Sequence, residues 1–216
     1  MSDDEPDLDG AYNLTSPEAA RELYRNWAAS YDESFAETRA YLAPARIAEV
    51  FAGHADYDDV PILDIGAGTG LVAEALQSHG AWPIDGLDIS PDMLDEARMK
   101  GLYGELFEAD LNDPQTLPRR RYGAILSAGT FTHGHVGPDV IPRLLDLARP
   151  GALFVLGINT EHYESKGFAS VFEEMQEWIT DVAFVEVGIY GTPIGDEHDD
   201  DTILIAVYRR KGREEE

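Results

Sequence analysis

A strand-like run, Pro61-Ile62-Leu63-Asp64-Ile65, passes directly into glycines alternating at Gly66, Gly68 and Gly70, and then into the helix-like Leu71-Val72-Ala73-Glu74-Ala75-Leu76. Alternating glycines let a turn take positive φ and let a ligand approach the backbone with no Cβ in the way. A second strand-like run, Trp82 to Asp88, ends in an acid eighteen residues beyond Gly70. That is close to where an α/β sheet places a carboxylate to accept ribose hydroxyls. Together the loop and the acid predict a site for one adenosine.

The rest of the chain repeats the same alternation. Strands are expected at 60–65, 82–88, 104–109, 122–128 and 152–158, with helices at 70–78, 91–99, 139–147 and 167–179. Upstream, Ser16-Pro17 opens a helix as N-cap and first-turn proline, and a second helix covers about Pro44 to Phe51. Gly101 ends the helix that follows the second strand. Such alternation implies a parallel sheet covered by helices on both faces. Asp181 to Tyr190 and Thr202 to Tyr208 then follow each other with no helix between, which predicts an antiparallel pair. Residues 1–14 are polar and acidic and are expected to be an unstructured tail. The resulting division is a tail (1–14), a helical N-terminal segment (15–54), a core (55–210) and a charged C-terminal tail (211–216).

A nicotinamide or flavin site is the nearest competing reading of the loop. Its fingerprint, G-x-G-x-x-G/A, asks for a small residue at the sixth position, where this chain has Leu71. Asp64, two residues ahead of Gly66, is also foreign to that fingerprint. An NAD(P)-dependent oxidoreductase therefore ranks second.

Four ordered segments match a different pattern: Asp64-x-Gly66-x-Gly68-x-Gly70, then Leu87-Asp88-Ile89-Ser90-x-x-Met93-Leu94, then Phe107-Glu108-Ala109-Asp110-Leu111, then Leu147-Ala148-Arg149-Pro150-Gly151. Over roughly Tyr24 to Arg209 the chain resembles the class I S-adenosylmethionine-dependent methyltransferases. Tyr31-Asp32-Glu33-Ser34-Phe35 looks like the opening segment of their small-molecule branch. One departure is Ala152, where many relatives repeat the glycine. The resemblance implies a Rossmann-like three-layer α/β sandwich around a seven-stranded, mostly parallel sheet whose last strand runs antiparallel, with a helical N-terminal lid. It implies S-adenosylmethionine as cofactor and a small molecule as methyl acceptor. A non-catalytic S-adenosylmethionine-binding module would keep the same cofactor residues without a working acceptor pocket.

Within that resemblance the backbone of Gly66, Ala67, Gly68 and Gly70 cradles the cofactor, with Ala128 facing it from the fourth strand. Asp88 binds the ribose. Asp64 has two readings, a cap for the helix beginning near Thr69 and, from the family, a role near the methionine part. Asp110 resembles the acid that meets the adenine amino group, with Leu111 supplying an amide, although Asp110 also starts a turn at Asp110-Leu111-Asn112-Asp113-Pro114. Ile89 and Met93 offer apolar surface to the adenine ring. In relatives the N-terminal segment folds over the cofactor, which makes Tyr31 and Tyr24 candidates to contact the methionine carboxylate or the sulfonium, the latter by cation–π attraction.

The fourth strand leads into Ser127-Ala128-Gly129-Thr130-Phe131-Thr132-His133-Gly134-His135-Val136-Gly137, across the switch point from the glycine loop. Histidines there can titrate near neutrality, so His133 is the candidate base, and Phe131, His133, His135 and Tyr24 the candidate substrate contacts. No metal site is expected. The chain has no cysteine, and His162 and His198 lack ligand spacing.

Charge narrows the partners. The chain carries 42 Asp plus Glu against 16 Lys plus Arg, a net charge of −26, and the two tails account for only eight of the acids. Such a surface repels phosphate backbones, which argues against nucleic acid and anionic membranes. Only three of the basic residues are lysine, a bias shared by proteins adapted to high salt and by acidic proteins that are not. With no apolar run long enough to span a bilayer and no signal-peptide pattern, a cytoplasmic protein is expected, as monomer or homodimer.

Overall fold

The computed structural model describes residues 6–14, 16–119, 121–132, 134–195 and 198–212. Its frame is a seven-stranded sheet of order β3-β2-β1-β4-β5-β7-β6. The strands are β1 (Ile62–Ile65), β2 (Ile84–Asp88), β3 (Leu106–Glu108), β4 (Tyr122–Phe131), β5 (Ala148–Asn159), β6 (Ile179–Gly188) and β7 (Thr202–Arg210). β7 runs antiparallel to both its neighbours, β5 and β6, while β1 to β5 pair in parallel. This is the Rossmann-like arrangement that the sequence resemblance implies.

Strand periodicity sends alternate side chains into two cores. Ile62, Ala124, Leu126, Leu153 and Val155 meet α3 (Ala43–His54) and α4 (Leu71–Leu76) on one face. Leu63, Ile65, Ile125, Phe154 and Leu156 meet α6 (Ile141–Leu144) and α8 (Phe168–Glu174) on the other. In α3 the spacing Ala43, Ile47, Ala48, Phe51 makes one apolar face, and all four residues are buried. Ser16 accepts the Ala19 amide as N-cap of α2 (Pro17–Trp27), and Gly101, at φ 67°, ends α5 (Pro91–Lys100).

Three expectations fail. The tail is ordered from α1 (Leu8–Tyr12) onward, because Ala11 is buried against Trp27 and Phe35 in a small aromatic core. The expected helix 167–179 is the shorter α8 with a 3₁₀ turn, Met175–Glu177, after it, and a separate helix that was not expected, α7 (Thr160–Lys166), precedes it. Asn159 caps α7 by accepting the His162 amide at 3.0 Å, and Gly167, at φ 81°, separates it from α8. The helix expected at 139–147 is only a four-residue α6 between 3₁₀ turns.

The N-terminal elements lie over the edge of the sheet where the parallel strands end. A π-helical turn, Asp32–Glu37, follows α2. Behind it Leu42 donates to the Ile189 carbonyl and Gly191 to the Arg39 carbonyl, which fixes the segment to the loop after β6. The Arg39 guanidinium sits 4.7 Å from the centre of the Tyr190 ring.

Candidate active site

The loop between β1 and α4 takes positive φ at Gly66, Gly68 and Gly70, and at Gly66 it also leaves no room for a side chain. Gly66 has φ +66°, and a Cβ there would meet Thr130 Oγ1 at 2.0 Å. Thr130 Oγ1 is in turn committed to the Ile65 carbonyl at 2.8 Å. Two residues on, the Gly68 amide donates to Asp88 Oδ2 at 2.8 Å, while the Ser90 amide donates to Oδ1 at 2.8 Å. The glycine loop and the end of β2 are therefore one hydrogen-bonded unit. Burial pushes the Asp88 carboxyl up from its ordinary range, and the Ser90, Gly68 and Ile89 amides oppose that shift. Each carboxylate oxygen has a second lone pair, so Asp88 retains capacity for ligand hydroxyls.

Asp64 is fully buried beneath this loop. Tyr103 donates to its Oδ2 at 2.7 Å, and its Oδ1 has no partner among the described residues. Burial pushes the carboxyl up to about 7; the Tyr103 bond pulls it down and the nearby Asp88 charge pushes it further up. The helix-cap reading of Asp64 is overturned, since its partner is the Tyr103 hydroxyl and Gly70 holds the N-cap position of α4.

Above the loop lies a cavity of about 480 Å³, within the range of small-molecule sites. Ten of the expected cofactor residues line it: Tyr31, Gly66, Ala67, Gly68, Asp88, Ile89, Met93, Asp110, Leu111 and Ala128. Asp64 and Gly70 do not; Gly70 packs toward Tyr103 and Ala97 instead. Asp110 keeps its turn role as well, accepting from the Asn112 amide at 2.8 Å.

Of the expected substrate contacts, Tyr24 and His135 line the cavity and share a hydrogen bond of 2.7 Å between Tyr24 Oη and His135 Nε2. Phe131 does not line it. That ring is 1% exposed, edge-on to Phe168 at 6.2 Å, and borders only a neighbouring recess of about 60 Å³. His133 lies outside the described residues. Several lining residues escaped the sequence reading, among them Thr130, His162 and Lys166. His162 Nε2 lies 3.1 Å from the Val136 carbonyl, which holds α7 against the loop after β4. Among the described residues no three His, Asp or Glu side chains gather as a metal site requires.

Aromatic side chains roof the cavity. Tyr24, Trp27, Tyr31 and Phe35 contact one another with centroids 5.0–6.5 Å apart, and Tyr41 donates to the Ala128 carbonyl at 2.9 Å. Burial raises the Tyr24, Tyr31 and Tyr41 phenols above their ordinary range, so the roof stays neutral. Asp32 fastens it: Thr69 of the glycine loop donates to Oδ1 at 2.5 Å, and Lys100 to Oδ2 at 2.6 Å.

Sheet order, glycine loop and strand-end acid define a class of α/β protein that holds a nucleoside across its switch point. Comparison narrows the class. Residues 62–151 match the family described as a methyltransferase domain. The chain is 35% identical over 149 residues to methyltransferase-like protein 27 of Homo sapiens, an alignment covering 67% of this chain and 60% of that relative's length. The fold is shared with the DhpI–SAH complex (TM-score 0.63, 21% identity, 91% of this chain and 98% of that one). It is shared equally with SAM-bound magnesium protoporphyrin IX methyltransferase (ChlM) from Synechocystis PCC 6803 (TM-score 0.62, 16% identity, the same coverage). The chain belongs to the class I S-adenosylmethionine-dependent methyltransferases.

Proposed function

We propose that this chain transfers a methyl group from S-adenosylmethionine to a small-molecule acceptor. The observation that carries the reading is the single unit formed by Gly68, Asp88 and Ser90 at the floor of a 480 Å³ cavity. Its donor and acceptor set suits the cofactor: Asp88 for the ribose, Ile89 and Met93 for the adenine face, Asp110 and Leu111 for the adenine edge. Asp64, beneath the loop and outside the cavity lining, supports the floor through Tyr103. When bound, the cofactor supplies a methyl group already activated on a sulfonium.

The protein's part is to align acceptor and cofactor and to exclude water, a proximity effect that supplies about 7–11 kcal/mol in well-oriented systems. Tyr24, Tyr31 and Tyr41 support the exclusion of water, because they stay uncharged over the cavity. Tyr24 and His135 border the acceptor side and hold each other in place. A cavity closed by aromatic rings favours a small acceptor over a nucleic acid, as does the net charge of −26. No helix among the described residues is long and apolar enough to cross a membrane. The test is production of S-adenosylhomocysteine by purified protein against a panel of metabolites, beside calorimetric binding of S-adenosylhomocysteine. Absence of calorimetric binding ends the proposal.

A further inference from the structure

We infer that the acceptor carries a single negative charge, most simply a carboxylate, and that Lys166 with the two cavity histidines recognises it; this deepens the methyltransferase reading and rests on it. Charge is segregated along the cavity. Among the described residues its acids are Asp88, the last residue of β2, and Asp110, just after β3, both at one flank. On the other flank stand His135, from the loop after β4, and His162 and Lys166, from α7 after β5. The sheet order puts β1 between these flanks, so the two ends of the ligand space face opposite chemistry.

Lys166 is exceptional in this chain. Of the three lysines, Lys100 is held by Asp32 and Glu74, and Lys211 donates to the Gln176 carbonyl. Among the described residues Lys166 has no ion pair or hydrogen bond, although the chain holds 42 acids. A protein of net charge −26 repels anions in general, so an unpaired cation at a cavity wall is where an anionic ligand gains most. The position is also built. The Asn159 cap fixes the start of α7, His162 ties it to Val136, and Gly167 ends it immediately after Lys166. One ammonium matches a monoanion better than a dianion.

The probe is S-adenosylhomocysteine-saturated protein titrated calorimetrically with benzoate, salicylate and octanoate, each beside its primary amide. The acids should bind at least about tenfold more tightly than the amides, the strength of one charged hydrogen bond. Lys166→Ala and Lys166→Glu, changes at an exposed position, should abolish that preference, and Lys166→Arg should keep most of it. S-adenosylhomocysteine affinity should stay within twofold in all three variants. Equal affinity for acids and amides across the panel overturns the inference while leaving the methyltransferase reading intact. It is equally overturned if Lys166→Ala weakens S-adenosylhomocysteine as much as the acids, since Lys166 would then hold the cofactor's own carboxylate. Failure of wild-type protein to bind S-adenosylhomocysteine removes both readings together.

Discussion

Asp64 and Tyr103, 39 positions apart in the chain, meet through a 2.7 Å hydrogen bond beneath the glycine loop, and this bond engages only one of the two buried carboxylate oxygens. The aspartate thus carries a strained protonation balance, with its carboxyl raised to about 7.

That balance has a sign. Between about pH 4 and 7 the folded chain keeps the Asp64 proton and the unfolded chain has lost it, so this group makes stability fall as pH rises through the window. The fall is at most about 1.4 kcal/mol per pH unit. Asp64→Asn removes the titration and leaves an oxygen for Tyr103. Urea unfolding from pH 4 to 8 should show the variant gaining on wild type up to about pH 7 and then holding level. A gap that does not vary with pH would mean that Asp64 is ionised in the native state throughout.

Asp88→Ala should weaken S-adenosylmethionine binding by about ten- to a hundredfold, the effect of losing one charged hydrogen-bond acceptor site. Because Asp88 also receives the Gly68 and Ser90 amides, part of that loss is disorder in the loop. Calorimetry measures the affinity, and amide exchange at Gly68 reports the loop. Unchanged affinity would remove Asp88 from the cofactor site.

Asp32→Ala cuts the roof loose from Thr69 and Lys100. A half-exposed pair of this kind contributes about 1 kcal/mol or less to stability, so the melting temperature should barely move. Stopped-flow release of S-adenosylhomocysteine should be several-fold faster. Identical release rates would show that the roof does not govern escape of the product.

Added salt should stabilise the protein, because 42 acids against 16 Lys plus Arg repel one another and salt screens that repulsion. Thermal melts from low to molar KCl should rise steadily. A flat or falling curve would mean that local pairs such as Arg209–Asp59 and Lys100–Asp32 already neutralise the field.

The sheet and the glycine-loop wall of the cavity were legible because their determinants are local. Gly66 and Gly68 need positive φ, Asp88 must end a strand, and both demands act on a few consecutive residues. Lys166 and His162 were missed because α7 is a seven-residue helix whose only local marks are the Asn159 cap and Gly167. The Tyr24–His135 contact spans 111 positions and leaves no periodic trace. Phe131 was misjudged for a related reason: strand β4 runs three residues beyond its expected end, and that extension turns the ring toward Phe168.

The cavity is assembled from two kinds of material. Its glycine loop and its two acids come from one stretch, Gly66 to Asn112, inside the region that matches the family and that also holds Ala128 and His135, whereas Lys166 and His162 lie beyond residue 151 and Leu14 to Pro44 lie before residue 62. Heredity can therefore edit α7 without touching the glycine loop. On the proposed assignment, exchange of α7 would alter the acceptor wall while the glycine loop and its strand-end acids pass unchanged to descendants.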